Sequence, residues 1–276
     1  MKIGLIGKGA IGEELAKLIE KEEGLKLVFV FDEVKEKSTV KNIEDGLKLK
    51  PDLVVECAST SAVLEFAQTV LSQTNLLTLS SSAFVDKKFE EQIKKICKEN
   101  NTKVFVPSGA IIGLDGISAV KKEIKSAKIT STKNPKGFGR TDTKKTILFE
   151  GSARKAAELF PKNVNVAATL ALNSIGFDKT KAIIVSDPNA KANTHEIEVE
   201  GEFGKFYIKV ENKPSTNPKT SALAAKTTFE LIKNIKSAKS SYPWKKKWDS
   251  IEKNQKQHIM TPLDSFMKIL ISSINA

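Results

Sequence analysis

The chain of 276 residues is poor in cysteine, histidine and arginine, and each shortage removes a class of function. Two cysteines, Cys57 and Cys97, cannot build a disulfide framework, and neither has a second Cys or a His at metal-ligand spacing. No metal site is expected. Arg140 and Arg154 are the only arginines among 45 basic residues, so the formal charge of +12 rests on lysine. Base reading and bidentate phosphate recognition favour arginine, so a solvated lysine surface is expected rather than a nucleic-acid interface. No apolar run approaches the roughly 18 residues needed to cross a bilayer. The short apolar run at the N-terminus leads into Glu13 and Glu14, so neither a membrane segment nor a signal peptide is expected, and a reducing cytoplasmic setting follows. What remains is ordinary for a globular protein, with 40% hydrophobic and 28% charged residues.

Short apolar runs alternate with amphipathic stretches over the first hundred residues, as in parallel strands joined by crossover helices. Strands are expected at Lys2 to Ile6, Lys26 to Phe31, Leu53 to Glu56, Leu76 to Leu79 and Lys103 to Pro107. Helices are expected at Ala10 to Lys21, Ser61 to Ser72 and Asp86 to Asn100, with Asp86 as an N-cap. This is an α/β doubly wound sheet over residues 1–107. The texture changes at the glycine-rich SGAIIGLDGI, and residues 108–217 read as a smaller α+β domain with a mixed or antiparallel sheet. Its strands are expected at Ile124 to Thr132, Ala182 to Ser186, His195 to Glu200 and Lys205 to Glu211, the last two joined by a hairpin at Gly201 to Gly204. Asn134 to Arg140 reads as a polar loop, and helices are expected at Ser152 to Phe160 and Val164 to Asn173. A helix over residues 218–236 returns to the first domain, and 237–276 form a Lys-rich linker with a helical extension.

The first strand runs into Gly7-Lys8-Gly9-Ala10-Ile11-Gly12, a GxGxxG that opens a helix. Gly7 suits the tight turn, Gly9 lets backbone approach a pyrophosphate, and Gly12 allows helix and strand to pack closely. The second strand ends in Asp32, whose carboxylate can accept from the adenosine ribose and repel a 2′-phosphate. Dinucleotide binding follows from the three features together. NAD is favoured, with NADP possible because Lys35 and Lys37 lie nearby.

Only His195 and His258 titrate near neutral pH by type. His195 stands in a predicted strand of the second domain, where a proton-transfer role and a structural one are equally open. The polar stretch from Glu211 to Ser221 contains Lys213 and Lys219, which could hold substrate carboxylates, and Asn217, which could equally cap the next helix.

These segments together resemble the L-aspartate dehydrogenase family. The likeness lies in GKGAIG, VVECAS at 54–59, SGAIIGLDGI at 108–117, NVNVAATLAL at 163–172, DPNAKANTHEIEVEG at 187–201 and ENKPSTNPKTSALAA at 211–225, in order over residues 1–235. The resemblance implies a homodimeric enzyme that uses NAD(P) to oxidise L-aspartate to iminoaspartate, giving oxaloacetate and ammonia or feeding NAD biosynthesis. It implies His195 as the active-site histidine. Ala58, Ser59, Ala110 and Asn165 join Gly7, Gly9, Ala10, Ile11, Gly12 and Asp32 at the cofactor, and Asn193 joins the substrate candidates. Ile112 and Ser80 to Ser82 stand where the family pattern leads one to expect glycine, and the tail from Ser237 has no family counterpart. Three other readings exist: a two-domain dehydrogenase or reductase for a semialdehyde or cyclic imine, an NAD-binding sensor without turnover, and a polyanion binder that uses the basic tail from residue 237 to 276.

Overall fold

A computed structural model describes residues 1–160, 164–213 and 222–239. Residues Met1–Leu231 form one compact unit that contains two sheets. The first sheet has strands β1 (Lys2–Ile6), β2 (Lys26–Phe31), β3 (Leu53–Glu56), β4 (Asn75–Thr78) and β5 (Val104–Phe105), in the order β2-β1-β3-β4-β5. All its pairings are parallel. A parallel sheet is covered on both faces, which is why β3, Leu-Val-Val-Glu, is buried at every position. Helices α1 (Ala10–Lys21), α2 (Ile43–Leu47), α3 (Thr60–Leu71) and α4 (Lys87–Asn100) provide the connections. Asp86 caps α4 by accepting from the Lys88 and Phe89 amides, as its position predicts.

In this order the chain leaves β1 toward β2 on one side and resumes at β3 on the other. The crevice outside the carboxyl ends of β1 and β3 is therefore a topological switch point, where doubly wound folds bind ligands. Gly7 to Gly12 follow β1, and Ala58 and Ser59 follow β3.

The second sheet is mixed, with β6 (Ile124–Lys133), β7 (Thr146–Ser152), β8 (Lys181–Ser186), β9 (Asn193–Gly201) and β10 (Gly204–Asn212) in the order β10-β9-β6-β8-β7. β6 runs parallel to β8 and antiparallel to β9, and β9 and β10 make the expected hairpin. Helices α5 (Leu114–Ala119), α6 (Ala153–Leu159), α7 (Asn165–Asn173) and α8 (Ala222–Lys239) complete the described chain. A continuous apolar cluster reaches from Ile6, Phe29 and Val54 to Ile129, Ile184 and Ile197, so the core extends under both sheets.

Two expectations need correction. β7 is a strand that the sequence reading passes over: it is an edge strand with half-exposed faces, and Gly151 breaks its apolar pattern. The stretch Asn134 to Arg140 is not wholly loop, because Pro135–Phe138 makes a turn of 3-10 helix capped by the Asn134 side chain on the Lys136 amide. The expected helix start at 218, Asn217 as a cap, His258 and the tail beyond 239 fall outside the described residues. No helix among the described residues is long and apolar enough to cross a membrane.

Candidate active site

A cleft of about 660 Å³ opens at the carboxyl ends of the parallel sheet. That is a typical size for a small-molecule or cofactor site, which runs from roughly 300 to 1,000 Å³. One wall comes from the loops after β1, β3, β4 and β5, and the other from β6, β9 and the start of α7.

The glycines of the first loop behave as the motif requires. Gly7 has φ +89, and a Cβ there would lie 2.6 Å from the Ala58 side chain. A Cβ on Gly12 would lie 2.0 Å from the Gly7 carbonyl oxygen, so close packing of helix on strand excludes any side chain. A Cβ on Gly9, by contrast, would meet nothing within 4 Å, which leaves open space where a phosphate would approach. Asp32 closes the far end: its carboxylate accepts from the Lys8 amide at 2.5 Å and the Val34 amide at 2.9 Å. These features fit a dinucleotide.

Behind the loop sits Glu56, the last residue of β3 and 1% exposed. Its carboxylate accepts from the Ala58 amide and Ser80 hydroxyl on one oxygen, and from the Thr78 hydroxyl and Ser80 amide on the other. Burial raises its pKa, and these hydrogen bonds partly offset the rise. Glu56 thus fixes the turns after β3 and β4, both of which line the cleft. Cys57 is beside it, with Sγ 3.2 Å from the Gly7 oxygen, and burial pushes its thiol well above the usual range.

The opposite wall depends on strand register. Ser131 of β6 pairs with His195 of β9. Side chains two apart on a strand share a face, so Ser131 and Lys133 stand beside Asn193 and His195. The Ser131 hydroxyl lies 3.0 Å from His195 Nδ1, which leaves Nε2 as the nitrogen available to a bound molecule. Burial first, and the Lys133 ammonium second, lower the His195 pKa to about 3, so the imidazole is neutral at pH 7. That differs from the near-neutral titration its residue type suggests. Burial also lowers Lys133 to about 8.

Asn165 opens α7 and reaches across to the first sheet. Its Oδ1 accepts from the Ser82 hydroxyl and amide, so the side chain can offer its NH2 group to an acceptor in the cleft. The backbone of the Ser108 to Ala110 turn is held by Asn212, which donates to the Ala110 oxygen, and by Thr227, which donates to that of Gly109.

Of the candidates named from sequence, Ile11, Ala58, Ser59, Ala110, Asn165, Asn193 and His195 line this one cleft. Gly7, Gly9, Ala10, Gly12 and Asp32 lie in the loop or strand end beside it. Lys213 is exposed and outside the lining, and Lys219 is outside the described residues.

Residues 7–107 match the model of the NAD-binding domain of homoserine dehydrogenase, and residues 115–235 match that of the C-terminal part of aspartate dehydrogenase. The chain is 41% identical to the L-aspartate dehydrogenase of Methanococcoides burtonii, over 85% of this chain and 97% of the relative. It is 41% identical to that of Archaeoglobus fulgidus, over 86% and 98%. The crystal structure of aspartate dehydrogenase from Thermotoga maritima superposes with a TM-score of 0.72 at 31% identity, covering 88% of this chain and 99% of that one. The chain belongs to the L-aspartate dehydrogenase family.

Within this family the departures at Ile112 and Ser80 to Ser82 have local explanations. The left-handed positions around Ile112 are Gly109 (φ +62) and Gly113 (φ +77), while Ile112 itself has no positive φ and is exposed. The serines are structural partners: Ser80 binds Glu56, Ser81 binds the Asn165 oxygen and Thr169, and Ser82 holds the Asn165 amide. Sequence reasoning passed over Lys133, Ser131 and Glu56. For the first two the signal was available only as an i, i+2 pair on a strand whose partner register was unknown.

Proposed function

We propose that this chain is an NAD(P)-dependent L-aspartate dehydrogenase, which oxidises L-aspartate to iminoaspartate that then hydrolyses to oxaloacetate and ammonia. The observation that carries the reading is a single cleft with a dinucleotide-type glycine loop on one wall and the buried His195–Ser131 pair on the other. Residues 1–107 hold the cofactor and residues 108–217 the substrate. Free amides at the start of α1, with the open space at Gly9, suit a pyrophosphate. The Asp32 carboxylate suits ribose hydroxyls and favours NAD, while Lys35 and Lys37, on a turn just after it, keep NADP accessible. Ala58, Ser59, Ala110 and Asn165 border the space between these groups and His195.

When bound, NAD(P) supplies a hydride acceptor for the α-carbon of the substrate. The chain's own task is to orient aspartate and to manage a proton. A neutral His195 that donates Nδ1–H to the Ser131 hydroxyl presents a lone pair at Nε2. There it can take a proton from the substrate amine, or from the water that adds to the imine. Entry of a dicarboxylate places negative charge beside the ring and raises its proton affinity from the low value of the empty cleft. Such a base contributes roughly 10² to 10⁴ in rate. A homodimer in a cytoplasmic setting, with iminoaspartate supplied to NAD biosynthesis, completes the reading.

The test is NADH formation by the purified protein with NAD and a panel of L-aspartate, D-aspartate, L-glutamate, L-alanine and homoserine. Stereoselective turnover of L-aspartate is the expected result; preference for homoserine, or turnover of none despite NAD binding, would replace the reading. A solution mass twice that of one chain is expected from light scattering.

A further inference from the structure

Thr60, Ser82 and Asn165 come from three separate elements and meet in one line of hydrogen bonds. Thr60 is the first residue of α3, Ser82 follows β4, and Asn165 is the first residue of α7. The Thr60 hydroxyl lies 2.8 Å from that of Ser82, and the Ser82 hydroxyl donates to Asn165 Oδ1 at 2.8 Å. Thr60 and Asn165, the two ends of the line, border the cleft. Ser82, between them, is 2% exposed and stands behind the wall.

Atom types decide the direction of every bond in this line. A backbone N–H can only donate, and the Ser82 amide lies 3.3 Å from Asn165 Oδ1, so the Asn165 side chain turns its oxygen to Ser82 and leaves its NH2 group to the cleft. The oxygen can only accept. The one hydrogen of the Ser82 hydroxyl therefore points to Asn165, and Thr60 must donate its own hydrogen to Ser82. Thr60 is left with lone pairs, which accept, and Asn165 with N–H groups, which donate. The same turn also holds the backbone that carries Asn165, because the Ser81 hydroxyl donates to the Asn165 carbonyl oxygen at 2.8 Å.

The line thus offers the cleft a fixed acceptor beside a fixed donor. A primary carboxamide has the inverse pattern, an NH2 group that donates beside an oxygen that accepts, and the nicotinamide ring of NAD(P) carries such a group. We propose that Thr60 reads this carboxamide by accepting from its NH2 group while Asn165 donates to its oxygen, and that Ser82 is the positioning residue that fixes the polarity of both. Resting on the dinucleotide reading above, this gives the choice of ring substituent to two hydroxyls outside the glycine loop. A methyl ketone in place of the carboxamide would leave the Thr60 lone pairs without a donor.

The experiment measures equilibrium binding of three dinucleotide ligands, by calorimetry, to wild type, Thr60→Val, Thr60→Ser and Ser82→Ala. NAD carries the carboxamide, 3-acetylpyridine adenine dinucleotide keeps the carbonyl oxygen but has a methyl group for the NH2, and ADP-ribose has no pyridine ring. Wild type is expected to bind NAD at least about tenfold more tightly than the acetylpyridine analogue. Thr60→Val is expected to bring that ratio to within about twofold of one, Ser82→Ala to lower it at least about threefold, and Thr60→Ser to keep it. All four proteins are expected to bind ADP-ribose alike and to share one thermal midpoint. A wild-type ratio retained in Thr60→Val overturns the assignment, as does a wild type that binds the two ring-bearing ligands equally. A loss of ADP-ribose affinity equal to the loss for NAD also overturns it, since the hydroxyls would then hold the whole cleft rather than the ring. A wild type that separates the ligands as expected but does not oxidise L-aspartate overturns the aspartate dehydrogenase reading and leaves the roles of Thr60 and Ser82 standing.

Discussion

The glycine loop of the cofactor wall is six consecutive residues, Gly7 to Gly12, whereas the wall facing it takes Ser131 and His195, 64 positions apart, from two strands. That loop is local: its shape follows from a strand, a tight turn and a helix start. The facing wall exists only if β6 and β9 pair in the right register, because a slip of one residue in either strand turns its own pair, Ser131 and Lys133 or Asn193 and His195, to the other face of the sheet. A local wall can be broken one atom at a time. A register-built wall responds instead to the electrostatics of the groups it brings together.

The sharpest contrast within the local wall is between two of its glycines. Gly12→Ala places a methyl group 2.0 Å from the Gly7 carbonyl oxygen, a backbone atom that cannot move aside cheaply. A loss of about 3 kcal/mol in unfolding free energy is expected from urea denaturation. Gly9→Ala meets no protein atom and should leave stability within about 0.5 kcal/mol.

On the facing wall the buried histidine sets an acid limit. Its folded pKa is about 3 against 6.5 when exposed, so below pH 6.5 the unfolded chain binds a proton that the folded chain refuses. This contribution is whole above pH 6.5 and falls away as pH drops toward 3. About 2 kcal/mol should be lost over the first two pH units of that window, and the stability profile of His195→Gln should be flatter there. Equal slopes in the two proteins would show that His195 is not the group responsible.

Smaller effects separate binding from chemistry. Gly9→Ala should weaken NAD about tenfold in a fluorescence titration, by about 1.4 kcal/mol, because the methyl group occupies the space a phosphate approaches. Ser131→Ala should lower kcat by several-fold, about 1 kcal/mol for one hydrogen bond to the imidazole, with no change in NAD affinity. An NAD effect from Ser131→Ala would mean that the two walls are not separable.

The same division explains what could be read from the sequence. GKGAIG, the strand before it and Asp32 at the end of the next were legible because their spacing is local and each glycine has a steric reason. His195 could be singled out as one of two histidines, but its burial, its Ser131 partner and its lowered pKa are products of register. Lys133 was hidden among 43 lysines, since nothing in composition separates a buried lysine from a solvated one. Glu56 was hidden for a related reason: a carboxylate that ends a buried strand declares itself only through the Thr78 and Ser80 hydroxyls that the next strand delivers. β7 escaped notice because an edge strand need not alternate cleanly, and Gly151 interrupts it.

The central claim is that one cleft brings a cofactor wall and a substrate wall together on L-aspartate, with His195 moving the proton. Its most direct test is steady-state NADH formation from L-aspartate by wild type and His195→Ala, with NAD affinity measured on both proteins. The account predicts turnover of the L but not the D isomer, a fall in kcat of at least about a hundredfold in the variant, and equal NAD affinity. Full activity in His195→Ala, or no turnover by a wild type that binds NAD, would contradict it.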